Sequence, residues 1–204
     1  MTQHVNAGLA AKQAGDLRTA IVEFKKVVEL APGMAAAHVN LGAVYFAQKD
    51  YGLAVVALRK ALALNGNLPG AEGMLGAALL AQGFVAEAIA HLEKGQVEDL
   101  LGVALLEAGR ERESVDRLEA ALVKRPEDAD LLYYLSQAHG RLARQVGERL
   151  TGQFASSARA KQMLGEAYAA AGNREAAIEE YGAAHGLRLE LLGVHLALGE
   201  LHRA

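Results

Sequence analysis

Apolar residues recur at spacings of three and four from one end of the chain to the other, with no convincing series of alternating positions to suggest strands. Ala20, Ile21, Phe24, Val27 and Val28 form one such stripe, and Val55, Leu58, Ala61 and Leu62 form the next. The pattern predicts helices at 3–14, 17–30, 35–48, 51–64, 69–82, 85–94, 96–108, 111–124, 129–141, 144–154, 156–171, 174–185 and 187–199. Pro32, Pro69 and Pro126 fall at or beside boundaries between helix pairs, where a missing amide hydrogen does least harm. The fold class is all-α.

Comparing the chain with itself turns this succession of helices into a repeat. The dipeptide Leu-Gly occurs at Leu41-Gly42, Leu75-Gly76, Leu101-Gly102, Leu164-Gly165 and Leu192-Gly193, with Ala7-Gly8 and Leu135-Ser136 filling the same place in two further units. The separations between these anchors are 34, 34, 26, 34, 29 and 28 residues. Each unit is a helix, a tight turn and a second helix, giving approximate repeats 1–34, 35–68, 69–94, 95–128, 129–157, 158–185 and 186–204, the last a first helix only. Three units are short. The spacing places the losses after Leu92-Glu93-Lys94-Gly95, at Arg141-Leu142-Ala143-Arg144 and near Ala184-His185-Gly186. At the second of these, either two helices join with almost no loop or they form one bent helix. Glycine inside a helix costs about 1 kcal/mol relative to alanine, so the anchor glycines require a close approach of backbones. The facing small residues are expected to be Ala20, Ala54, Ala88 and Ala177, with Phe24, Leu58, Leu92, Leu118 and Tyr181 filling the wedge toward the following unit.

The pattern of Leu41, Gly42, Tyr45, Ala54, Leu58 and Ala61, repeated as Leu164, Gly165, Tyr168, Ala177, Tyr181 and Ala184, resembles the tetratricopeptide repeat family over essentially the whole chain. That resemblance implies a single array from 1 to 204, an all-α superhelical solenoid of stacked antiparallel helix pairs. It further implies that first helices line a concave groove and that the groove binds a polypeptide partner. Carried onto matching positions, the groove residues are Val39, Ala43, Phe46, Ala77, Leu80, Val103, Leu106, Tyr133, Gln137, Arg141 and Arg159, running from small and apolar to polar. Some arrays of the family grip an acidic tail with a Lys/Asn/Arg clamp. Here Asn40 matches one of those positions, but Val5, Leu9, Gly70 and Met74 fill others, so this clamp is not expected. The expected function is a protein-interaction scaffold; the alternative is a structural self-association module or a non-catalytic subunit of a larger assembly.

Composition narrows the chemistry. The chain has 204 residues, a formal charge of −3 and no cysteine, which excludes disulfides, thiolate nucleophiles and cysteine-held metals and gives no general attraction to nucleic acid. No basic start precedes a long apolar run, and no stretch is long enough to span a bilayer; direct membrane insertion is not expected, and a cytoplasmic location is weakly favoured. His4 and His38 share one repeat position and read as packing residues against their own second helices. His195 and His202 are seven apart but lack a third ligand. Ser156-Ser157 reads as a helix cap, and the Glu-rich segments read as solvated faces. No catalytic, cofactor or metal site is expected, and the chain is not expected to be an enzyme. The final helix carries apolar residues around much of its circumference, so Leu187, Leu191, Val194 and Leu198 are expected to remain exposed and to join chains into a homo-oligomer.

Overall fold

The computed structural model describes residues 1–203, and among them there are helices and no strands. In order they are α1 (Thr2–Gln13), α2 (Leu17–Leu30), α3 (Ala35–Ala47), α4 (Tyr51–Leu64), α5 (Pro69–Ala81) and α6 (Val85–Gly95), followed by α7 (Glu98–Glu107), α8 (Glu111–Lys124), α9 (Ala129–Gln153), α10 (Ala158–Ala170), α11 (Arg174–Leu187) and α12 (Leu192–Arg203). The chain divides into two compact units, Met1–His139 and Gly140–Ala204.

Within the first unit each helix pair is antiparallel. Glu98 meets Arg117, while Gly102, one turn further along α7, meets Ser114, one turn back along α8. The turns between paired helices place Gly15, Gly83 and Gly109 at φ between +72° and +80°, and Lys49 adopts the same left-handed conformation at φ 64°. Asp16 and Asp50 then cap the second helices, accepting from the amides of Thr19 and Leu53. The core is a continuous layer from Ala20 and Phe24 through Val44, Ala54 and Leu58 to Leu75, Leu79, Ala88, Leu92, Leu101 and Leu105.

The anchor glycines are tightly covered, but by different residues from those expected. A methyl group on Gly8, Gly42, Gly76 or Gly102 would lie 2.6–2.8 Å from Phe24, Leu58, Leu92 or Leu118 respectively. The large side chain of the second helix therefore rests on the glycine of its own repeat. The alanines, Ala20, Ala54 and Ala88, are fully buried beside it, with the Ala54 carbonyl 3.5 Å from the same point on Gly42. In the fourth repeat Ser114 takes the alanine's place and satisfies its hydroxyl by donating to the Gly102 carbonyl at 2.7 Å.

The shortened third repeat closes by trimming three places at once. α6 has 11 residues where α2 and α4 have 14, the link to α7 is two residues instead of four, and α7 has 10 residues where α3 and α5 have 13. Gln96 ends α6 in the left-handed region at φ 55°. The backbones then meet: a methyl group on Gly95 would sit 2.5 Å from the Gly73 amide nitrogen, and Val97 covers Gly73 in turn.

In the second unit, of the two alternatives at Arg141-Leu142-Ala143-Arg144, the single helix is found, since that segment lies inside the 25-residue α9. Gly147 and Met163 pack together between α9 and α10, and Gly165 carries Tyr181 as the other anchor glycines carry their partners. Ser157, as expected, caps α10 by accepting from the Ala160 amide, and Asn173 caps α11.

The sixth repeat is not short. α12 begins at Leu192, not at 187, and residues 188–191 form the connection. Leu198-Gly199, 34 residues after Leu164-Gly165, is therefore the anchor, and Leu192-Gly193 is the first turn of the helix. His195 confirms the register. It donates from Nε2 to the carbonyl of the residue six before it, Leu189, just as His38 donates to Pro32. The shift reverses part of the expected surface: Leu191 and Val194 are 4% and 0% exposed and form the unit's core with Ala177, Tyr181 and Ala184, while Leu198 packs against it. They are therefore unavailable to a second chain. The exposed leucines are Leu187, Leu189, Leu192 and Leu196.

Candidate partner-binding surface

In the first unit the expected groove positions fall on equivalent faces of α3, α5 and α7. Val39, Ala43, Phe46, Ala77, Leu80 and Val103 are all half-buried, as residues lining a shallow channel are. Phe46 is not a free anchor, because its ring stands edge-on against Tyr51 with centroids 5.4 Å apart. Leu106 is a correction: it is 1% exposed. α7 buries Leu101, Gly102, Ala104, Leu105 and Leu106, more than half of its circumference at 3.6 residues per turn. On α9, Tyr133 is 60% exposed with its ring edge-on to Tyr134, and Gln137 is exposed.

Arg141 and Arg159 belong to the second unit. Arg141 is half-buried on α9. Arg159 is exposed and donates to Gln162 at 2.6 Å, and Gln162 donates on to Glu166, a polar relay along α10. Burial, with the Glu166 charge second, pushes the Tyr181 phenol above its ordinary value.

Cross-helix pairs join the two helices of four repeats at the position the sequence reading singled out only through His4 and His38. Three residues before the anchor in the first, third, fourth and sixth repeats, a charged or titratable side chain faces one that lies 19 residues later on the second helix. His4 donates to Glu23 at 2.6 Å, His91 donates to Glu72, Arg117 donates to Glu98 at 3.2 Å, and Lys161 pairs with Glu180 at 2.9 Å. The polarity differs between repeats, with the acid on the second helix in the first and sixth and on the first helix in the third and fourth. Lys26 and then His4 hold the Glu23 carboxyl below the usual carboxylate range. In the second repeat Ala57 stands opposite His38, so that histidine turns to the Pro32 carbonyl at 3.0 Å instead of to its own second helix. Aligning repeats on their anchors would have revealed these pairs, since the facing residues share one offset throughout.

Among the described residues no group of three or more His, Cys, Asp or Glu is placed to hold a metal ion. His195 lies edge-on to His185, ring centroids 4.4 Å apart, rather than beside His202. No described helix is long and apolar enough to cross a membrane.

Profiles of the tetratricopeptide repeat match residues 4–34, 35–68, 100–146 and 158–188. The chain belongs to the tetratricopeptide repeat family. Its array is similar in fold to PilF of Pseudomonas aeruginosa, at 20% identity and a TM-score of 0.60 over 99% of this chain and 96% of that one. YrrB, described as a tetratricopeptide repeat protein with an unusual peptide-binding site, is 20% identical with a TM-score of 0.60, covering 98% and 91%. PilW, described as a widely conserved type IV pilus biogenesis factor, is 16% identical with a TM-score of 0.61, covering 97% of each. At these identities the likeness is one of fold. A comparison with curated proteins finds no match.

Proposed function

We propose that this tetratricopeptide array is a non-catalytic interaction scaffold that binds an extended polypeptide segment along the first-helix face of residues 1–139. The observation that carries the reading is the alignment of half-buried Ala43, Ala77 and Val103 at one repeat position, two of the three alanines, flanked by half-buried Val39 and Leu80. Small residues in register leave a ledge on which a peptide can lie, and the flanking apolar side chains supply contact area. A bulky side chain on that ledge tests it. Ala43→Trp should abolish capture of a bound peptide while leaving the helical circular-dichroism signal intact, and Val56→Gln, on an exposed part of α4, should change neither. Peptide crosslinked only to second helices, and indifferent to Ala43→Trp, would displace the groove.

A second reading, self-association, is supported by the exposed leucines at the end of α11, in the following connection and on α12. Leu192 and Leu196 are 72% and 61% exposed. Changing both to Gln should lower the sedimenting mass of an oligomer without unfolding it. A chain that sediments as a monomer across a broad micromolar range removes this reading.

A further inference from the structure

Four consecutive first helices of the first unit, α3, α5, α7 and the 129–139 part of α9, contain no Lys or Arg, but they contain Glu72, Glu98, Asp99, Glu107 and Asp130. Glu72 is paired with His91, Glu98 with Arg117 and Asp99 with Arg125. Asp99 lies on the groove face of α7, one turn before Val103, and borders a notch between α7 and the start of α9. The notch holds about 200 Å³. Its apolar part is Leu100, Val103, Leu131 and Tyr134, and its polar part is Asp99, Asp128 and Asp130 with Arg125.

That volume lies below the roughly 300–1,000 Å³ of ordinary small-molecule sites and suits a single long side chain. The chain itself shows which kind. Arg125 places its guanidinium 2.6 Å from Asp99 and 3.0 Å from Asp128, yet remains half exposed. One cation among three carboxylates leaves the notch negative. Exposed ion pairs of this sort contribute little, so an incoming cation can replace Arg125 at small cost. Asp128 is held in place by accepting from the amides of Asp130 and Leu131 at the start of α9. A long basic side chain satisfies both parts of the wall at once, its aliphatic stem against Val103 and Leu131 and its head among the carboxylates, with Tyr134 offering an aromatic face. An acidic tail would find no cation on any of these four helices.

We infer that the polypeptide seated on this face is an apolar segment carrying an arginine or lysine that enters the α7–α9 notch beside Asp99 and Asp130. The inference rests on the groove reading, and the test separates the two. A displayed library of random twelve-residue peptides is selected on the full chain, and the selected peptides are measured by fluorescence anisotropy. Enriched sequences should carry Arg or Lys among apolar residues. Asp99→Asn with Asp130→Asn should weaken them by about tenfold, and Arg125→Ala, which removes the internal competitor, should tighten them; thermal melting confirms that the variants fold. A merely structural role for Arg125 predicts the opposite sign. Selected peptides that Ala43→Trp blocks but that lack basic residues, or that ignore the aspartate changes, overturn this inference and leave the groove standing. Peptides indifferent to Ala43→Trp, or a library that yields no binder, overturn both.

Discussion

The third and fifth repeats both lack residues that their neighbours have, and they absorb the loss in opposite ways. The third keeps its helix pair and tightens the exit, where Gln96 turns left-handed and Gly95 slides against Gly73. The fifth gives up the pair, and α9 runs through the place where a turn belongs. Turn chemistry decides between these outcomes. Eight residues after the anchor, the other complete repeats have Gly15, Lys49, Gly83, Gly109 and Gly172, all at positive φ. The fifth has Ala143, followed by Arg144 where other repeats have the caps Asp16, Asp50 or Asn173. Alanine is costly in the left-handed region and is the best helix former, so the helix continues. The cross-helix pair is lost as well, since Leu132 stands three residues before this anchor.

The largest expected effect probes the continuous helix. Ala143→Pro removes an amide and clashes with the preceding turn, costing about 3 kcal/mol in chemical denaturation if α9 is unbroken; a near-neutral result would place a turn there. Gly95→Ala should cost about 1–3 kcal/mol through overpacking, because the new methyl meets Gly73 backbone and not a movable side chain. An equally small cost for Gly95→Ala and for Gly70→Ala, which has open space around it, would remove the close approach from the account of the third repeat.

Smaller changes sharpen the role of turns and pairs. Lys49→Gly relieves a left-handed lysine and should raise stability by about 0.5–1 kcal/mol, seen as a higher denaturant midpoint. The smallest effect is in pH. The Glu23 carboxyl is lowered by Lys26 and His4, so its contribution is present above the ordinary carboxylate range and is lost as pH falls through its folded value. Glu23→Gln should flatten that part of the acid-denaturation curve, and an unchanged curve would show that the pair carries no linkage.

The helix-pair architecture was legible because the glycine anchors and the apolar stripes agree with each other. Where the reading failed, two local signals competed. Leu192-Gly193 imitates an anchor at the start of α12, while the true one, Leu198-Gly199, keeps the 34-residue period. Preferring the period would have placed Leu191 and Val194 in the core. That Val39, Ala43, Ala77, Leu80 and Val103 share equivalent half-buried faces was legible, since periodicity fixes which residues share a face. It failed at Leu106, which is 1% exposed, and at Phe46, whose contact with Tyr51 crosses a turn.

The opposite polarity of the cross-helix pairs in the first and third repeats would act as an address for those two. The repeats are built from look-alike helices, and a second helix from one could dock on the first helix of another while the chain is folding. Pairing α1 with α6 would set His4 against His91, and pairing α5 with α2 would set Glu72 against Glu23. Between these two repeats wrong partners would meet like with like at the spot where right partners meet a complement, whereas the third and fourth repeats, with the acid on the first helix in both, are not told apart in this way.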